Sequence, residues 1–382
     1  IYKKEGILSI MNNINTCFKE LVNNIHHFDS KLKIPIKEFY SSIEINKYSS
    51  YLQEEYIVNN SKFLQKTNPS YFGFNSLNNV GVLYNTMNVN AYDKMDTKYV
   101  FGSLSFENLD FSIGLDINSF KIQSTGYNTS LVNLSYVYKL QLDNNLFLLP
   151  AVTIGFGTKG VNPGNLILED QIIGLGIPFG TIGQETNDEL VLAMINKANY
   201  FDLGASFLIH NEKYLAGMSL KRLNRPNVSY DGEDDNMTNN LPIQISVQGA
   251  YEFDLNPYER RFLPRYSYLY TYLAYTKQDQ SSIIFLSQDL QLGEFSFGLS
   301  QQLGTGLTGT GLNNIGVSIG LAVENFDFGL LYNFPIRKPA TVSSTSGVYS
   351  PSIFELFITW DFSVYRRNRR GQYNRLTTDN YY

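Results

Sequence analysis

The chain is poor in the residues that build catalytic and metal sites. Its 382 residues hold one cysteine, Cys17, and three histidines, His26, His27 and His210. A single cysteine excludes an intrachain disulfide framework and a cysteine-based metal cluster. His26 and His27 are adjacent in a segment of helical pattern, where sequence neighbours do not share a face, and His210 sits where a tight turn is expected. A Ser–His–acid hydrolase or a histidine metal centre has little to draw on here. Charge is scarce too, at 17% of residues, and 30 Lys and Arg against 35 Asp and Glu leave a net charge of −5. That balance implies no pull toward nucleic acid. No run of roughly 18 apolar residues occurs, so a transmembrane helix is not expected. No charged leader with an apolar core and a small-residue cleavage site is visible, and any secretory signal is expected to have been removed already.

Aromatics, by contrast, make up 14% of the chain, almost all of them the 28 Tyr and 26 Phe. Hydrophobic residues reach 43%, yet the mean hydropathy is only −0.20. Apolar residues are therefore plentiful but dispersed, and their spacing says how. In 109–118 Leu109, Phe111, Ile113, Leu115 and Ile117 alternate with Asp110, Ser112, Gly114, Asp116 and Asn118. Phe326, Phe328, Leu330, Tyr332 and Phe334 share one face, with Asp327, Gly329 and Asn333 opposite. Ile243, Ile245, Val247, Tyr251 and Phe253 oppose Gln244, Ser246, Gln248 and Glu252. Phe354, Leu356, Ile358, Trp360 and Phe362 oppose Glu355, Thr359 and Asp361. A period of two over many short segments is the pattern of β-strands with one polar face.

A soluble sandwich also alternates, and the connections separate the two cases. Short ones (107–110, 142–146, 210–213, 291–294 and 324–327) take turns with longer Gly/Asn/Ser/Thr-rich ones (119–128, 158–198, 226–241, 304–314 and 336–350). That rhythm suits a barrel with tight turns at one end and loops at the other. Strands are expected near residues 83, 102, 113, 135, 150, 205, 218, 248, 270, 285, 298, 318, 330 and 357. The expected fold is all-β: an antiparallel transmembrane outer-membrane β-barrel of about 14 strands with a partly helical N-terminal extension. The Tyr-dense segment 263–277 is read as part of an aromatic girdle at the lipid–water boundary. Asp110, Asp116, Glu252, Asp327, Glu355 and Asp361 are expected to face inward.

The organisation expected is an extension over 1–62, a barrel over 63–362 and a basic tail over 363–382. The extension has two helical patterns separated near Ile34–Pro35, and reads equally as a docking arm or as a cap or plug of the barrel. The tail places Arg366, Arg367, Arg369, Arg370 and Arg375 against Asp379. Arg366, Arg367, Arg369 and Arg370 are the partner-binding candidates, for an acidic protein or lipid headgroups, against the plainer reading of a solvated tail. Asp231, Glu233, Asp234 and Asp235 are the one dense acidic run and a calcium candidate, but they lack the EF-hand spacing and read first as a solvated outer loop. The glycine-rich 304–314 has no following Lys-Ser/Thr pair, so a flexible loop is preferred to a phosphate site. The segment 159–198 is the longest connection, able to fold into the barrel mouth or face a partner. No cofactor is expected.

Four stretches together resemble the PorP/SprF family of the Bacteroidota type IX secretion system. They are NPSYFGFNSLNNVGVLYNT (68–86), FENLDFSIGLDINS with the strand pair through LPAVTIGFG, YFDLGASFLIHNEKYLAGMSLKRLNRPN (200–227) and the closing SPSIFELFITWDF. The similarity spans residues 65–362, and neither 1–60 nor the basic tail belongs to it. The resemblance implies a non-enzymatic outer-membrane barrel. It would help secrete or anchor cargo, such as a gliding adhesin, at the cell surface through contacts with type IX components. A porin or fatty-acid-type transporter is the alternative. Both termini are expected on the periplasmic side.

Overall fold

The computed structural model describes residues 62–88, 94–123, 126–143, 145–162, 198–228, 240–257, 262–264, 267–279, 281–306, 309–336 and 352–362. Fifteen strand segments run through them: β1 Asn79–Asn88, β2 Lys94–Phe106, β3 Phe111–Ile122, β4 Tyr127–Tyr138, β5 Leu140–Asp143, β6 Leu146–Val161, β7 Ala198–His210 and β8 Tyr214–Lys221 form the first eight. The rest are β9 Gln244–Asp254, β10 Ser267–Gln278, β11 Ser281–Leu292, β12 Phe295–Gly306, β13 Gly309–Val323, β14 Phe326–Pro335 and β15 Ser352–Asp361. β4 and β5 are two parts of one strand interrupted at Lys139, since both pair with β6. Fourteen strands therefore make the wall. Each pairs antiparallel with its chain neighbour, and β1 pairs with β15, Leu83 opposite Phe357, to close the sheet. All fourteen expected strand positions fall within these strands.

Burial runs inside out relative to a soluble sheet. Leu115, Leu134 and Phe156 are 47%, 51% and 64% exposed, while Asp116, Ser135 and Asn333 are buried. Apolar residues point away from the barrel and polar ones into it, as a wall bathed in lipid requires. Glu355 is buried in the lumen and accepts a hydrogen bond from Asn85 Nδ2 at 2.6 Å. Asp116 and Glu252 are buried as well, but Asp110 stands exposed in the β2–β3 turn in a left-handed conformation (φ 51°). The inward expectation fails there because the turn ends the alternation.

Outward aromatics gather near both rims. Phe106, Phe111 and Tyr136 stack in series toward the tight-turn end, with centroids 4.8 and 5.5 Å apart, and Phe326 stacks on Trp360 at 6.1 Å. Phe156 and Phe201 meet at 5.2 Å toward the opposite end. The Tyr-dense β10 is not part of this girdle. Tyr268, Tyr270 and Tyr272 are buried inside the barrel, and among its tyrosines only Tyr275 is exposed to the outside. Alternate tyrosines on one strand face are a barrel interior when something apolar fills the lumen.

The connections also correct the sequence rhythm. Tight turns join β2–β3, β7–β8, β11–β12 and β13–β14 as expected. The expected loop 119–128 is mostly strand, however, because β3 reaches Ile122 and β4 starts at Tyr127. The glycine-rich 304–314 is strand as well, with β12 ending at Gly306 and β13 starting at Gly309. Their polar residues, such as Thr129, Gln302 and Asn314, are buried in the lumen, so polarity that reads as loop is the inner wall of the barrel. Conversely, β9 and β10 are joined at the tight-turn end by the longer stretch 255–266. There the Asn256 amide donates to the carbonyls of Leu263 and Pro264, both at 3.1 Å.

Leu134 tests the outward face. Leu134→Arg should destabilise the barrel in lipid vesicles by about 2–4 kcal/mol, the cost of a cation near the middle of the lipid face, read from the denaturant midpoint. An unchanged midpoint would remove this face from lipid.

Candidate functional site

Chain segments distant in sequence converge in the lumen, and a stretch just ahead of β1 fills part of it. A short helix, α1 (Leu64–Thr67), leads into a 3₁₀ segment over Pro69–Ser76. Asn68 stands between them as the N-cap: its side chain accepts from the Ser70 amide at 3.0 Å, and Pro69 follows with no N–H to leave unpaired. The 3₁₀ segment ends with Asn75 and Ser76 in left-handed conformations (φ 53° and 50°). This turns the chain into the first strand.

The aromatic residues of this plug key into the wall. Phe63 meets Tyr99, Phe101 and Phe357 edge-on at 6.2, 5.9 and 5.3 Å. Phe72 sits over Gly114 of β3, where an added Cβ would run into its ring. Gly73 lies against Val137 of β4, whose Cγ1 would stand 2.7 Å from an added Cβ. Phe74 contacts the His210 ring at 4.8 Å, and Phe147 stacks on the same ring at 5.4 Å. His210 is thus the last residue of β7, buried among aromatics, and not a turn residue. Burying each of these large side chains contributes about 1.5–3 kcal/mol.

Polar contacts fix the register of the plug. Asn68 Nδ2 donates to the Phe207 carbonyl at 3.0 Å, and Ser70 Oγ pairs with Ser206 Oγ at 2.8 Å. Ser219 Oγ donates to the Thr67 carbonyl and Lys221 Nζ to the Lys66 carbonyl, both at 2.7 Å. Lys66 Nζ reaches Asn118 Oδ1 at 3.4 Å and lies 5.4 Å from the Tyr99 ring centre. Each bond satisfies a group that lipid-shielded burial would otherwise strand, at a cost of about 1–3 kcal/mol. Beside the plug a small polar cavity is lined by Gln65, Lys66, Asp116, Asn133, Asp202 and Lys221. Two ammonium groups and two carboxylates balance there, and Asn133 Nδ2 donates to Asp116 at 2.9 Å.

This arrangement fills part of the lumen. Among the described residues no group of three or more His, Cys, Asp or Glu could hold a metal ion. The calcium candidates Asp231, Glu233, Asp234 and Asp235 lie outside the described residues, as do Arg366, Arg367, Arg369 and Arg370. The cap-or-plug alternative concerns the extension 1–62, of which 1–61 lie outside the described residues; the plug at 63–76 falls in the stretch read as barrel, although Tyr71, Phe72 and Phe74 crowd a turn directly before the first strand.

The model of the type IX secretion system membrane protein family PorP/SprF matches residues 47–359, which includes the plug and nearly the whole wall. The chain belongs to the PorP/SprF family. It is thereby a type IX secretion membrane protein with an outer-membrane barrel fold, and gliding motility and the Bacteroidota are implied by that membership. No curated protein matches it. Among solved structures, the TodX monoaromatic hydrocarbon channel deltaS2 mutant is 9% identical over 77% of this chain and 92% of its own, with a TM-score of 0.46. A Pseudomonas aeruginosa FadL homologue is 10% identical over 78% and 93%, at 0.41. The Acinetobacter baumannii outer membrane protein Omp33 is 7% identical over 76% and 100%, at 0.39. At such scores these likenesses carry nothing about what this PorP/SprF barrel does.

Asn68 is the residue whose loss should loosen the plug most selectively. Asn68→Ala removes both the cap and the bond to Phe207, and about 1–3 kcal/mol with them. Limited proteolysis of the reconstituted protein should then cut within 63–76 while the strands stay intact. Resistance equal to the unaltered protein would mean the side chain holds nothing in place.

Proposed function

We propose that this PorP/SprF barrel holds secreted cargo, such as a gliding adhesin, at the cell surface through protein–protein contacts, and that it does so without passing solutes or performing catalysis. The observation that carries the reading is the plug. Residues 63–76 pack across the lumen against β2, β3, β4, β6 and β7 with aromatic side chains and paired polar groups. A porin keeps a polar water-filled interior, and here Tyr270, Tyr272, Phe285 and Leu331 are buried within the barrel. The porin or fatty-acid-type transporter remains the second reading, since small polar space persists beside Lys66 and Asp202.

The tight turns support a reading of sidedness. The Phe362 amide donates to the Asn78 carbonyl at 2.9 Å, so the start of β1 and the end of β15 lie together at the tight-turn end. We read that end as periplasmic. The extension 1–62 and the tail then meet the secretion machinery, with Arg366, Arg367, Arg369 and Arg370 as the contacts for an acidic partner surface. The segments 163–197, 229–239 and 337–351 join strands at the other end and would face the cargo.

Two measurements separate the readings. Gentle detergent extraction should co-purify type IX components or a large surface protein, and reversing the four arginines to Glu should reduce recovery of the machinery by about tenfold. In planar bilayers the purified protein should show no stable conductance. Steady ohmic conductance with no co-purifying protein would support the transporter instead.

A further inference from the structure

The outward face of β1–β4 changes character along the strands. Val100 stands opposite Val82 on one side and Ile117 on the other, and Ile117 stands opposite Val132. All four are exposed and belong to the apolar band that faces lipid. One row further from the tight turns the wall turns polar. Lys98 lies opposite Tyr84 and Ser119, and Asp96 opposite Thr86 and Lys121. Lys94 and Lys98 flank Asp96 on the same face of β2, and Lys94, Lys98 and Lys121 are all exposed. Diagonal neighbours on a sheet lie roughly 7–8 Å apart, so these three ammonium groups crowd around one carboxylate. That carboxylate is already engaged. Tyr84 Oη donates to Asp96 Oδ1 at 2.9 Å, and Gln123 Nε2 donates to Asp96 Oδ2 at 2.6 Å. The three lysine side chains make no hydrogen bond or ion pair among the described residues. The opposite rim has the contrary sign: Asp110, Asp143, Glu212, Glu294 and Glu324 are exposed at the tight-turn end, alongside Lys213. A lysine cluster at the edge of the apolar band is therefore a local feature of this rim.

We infer that Lys94, Lys98 and Lys121 bind the phosphorylated headgroup of an outer-leaflet glycolipid of the lipid A class, whose acyl chains lie over Val82, Val100, Ile117 and Val132. Charge supports this occupant. Like charges this close repel one another, and a phosphate relieves the repulsion with charge-assisted bonds to several ammonium groups at once. Position supports it too. The patch points away from the barrel axis at the edge of the apolar band, where a lipid reaches the lysines with its headgroup and the apolar row with its chains. Anionic headgroups attract each lysine held at such a boundary. The inference rests on reading the tight-turn end as periplasmic, which puts this rim in the outer leaflet.

The test uses the full chain purified in detergent, with lipid binding read by native mass spectrometry. Phosphorylated lipid A should bind. Replacing all three lysines, Lys94→Gln with Lys98→Gln and Lys121→Gln, should weaken that binding about tenfold, and removing the phosphates from the lipid should do the same. Lys277→Gln, at an exposed lysine on β10, should leave it unchanged. No binding of lipid A, equal binding by the triple variant, or phosphatidylglycerol bound as tightly as lipid A overturns the proposal. Sidedness is read separately on intact cells in a Cys17→Ser background. A membrane-impermeant thiol reagent should label Asp279→Cys, between β10 and β11, and spare Lys213→Cys in the β7–β8 turn. The reverse labelling places the rim in the inner leaflet and overturns lipid A as the occupant, whatever the purified protein binds.

Discussion

A strand edge inside a membrane leaves N–H and C=O groups with no water to bond, and the pairing of β1 with β15 removes the last such edge. The rest of the molecule depends on that closure. It fixes fourteen strands into a ring, turns every second side chain toward lipid and every other one toward an enclosed space. Leu83 opposite Phe357 and Asn85 opposite Glu355 are paired partners across this seam. Asn85 also bonds Glu355 directly inside it. The first strand is thus held by the last, and the segment just ahead of the first strand is delivered into the lumen.

Enclosure then creates a second requirement. A wall of this many strands leaves space that side chains alone do not fill, and whatever enters must satisfy the polar groups that the alternation points inward. The segment around Asn68 does this with few residues. Its Phe72 meets Gly114 on the wall, and its backbone carbonyls meet Ser219 and Lys221. The protein is consequently built as a barrel whose lumen is partly filled by its own chain. Function is expected at its two rims, where connections and termini lie, more than along a pore.

The strands were legible because lipid contact imposes a strict period of two, as in Phe354 to Phe362 and Leu109 to Ile117. The lumen was less so, for the same physical reason. Inside a barrel, polar residues such as Gln302 and Asn314 line a wall, yet by composition they resemble a loop. Tyrosine likewise fits both a lipid girdle and a packed interior, and only the register of β10 against β9 and β11 assigns Tyr270 and Tyr272 to the interior. His210 at the end of β7 and the turn at Asp110 show how a one-residue shift at a strand end changes what a side chain faces. The plug residues 63–76 were within reach of sequence reasoning through their aromatic crowding, but whether they entered the lumen depended on glycines at 73 and 114 whose partners are distant in sequence.

The central claim is that the lumen is stably filled by the segment ahead of β1. Hydrogen exchange on the reconstituted protein tests it most directly, through the amides of Asn68 and Tyr71, which bond the carbonyls of Leu64 and Asn68 at 2.8 and 3.1 Å. An occluded barrel predicts protection of 63–76 comparable to that of the wall strands. Exchange as fast as in the 324–325 turn would contradict the account and leave an open channel in its place.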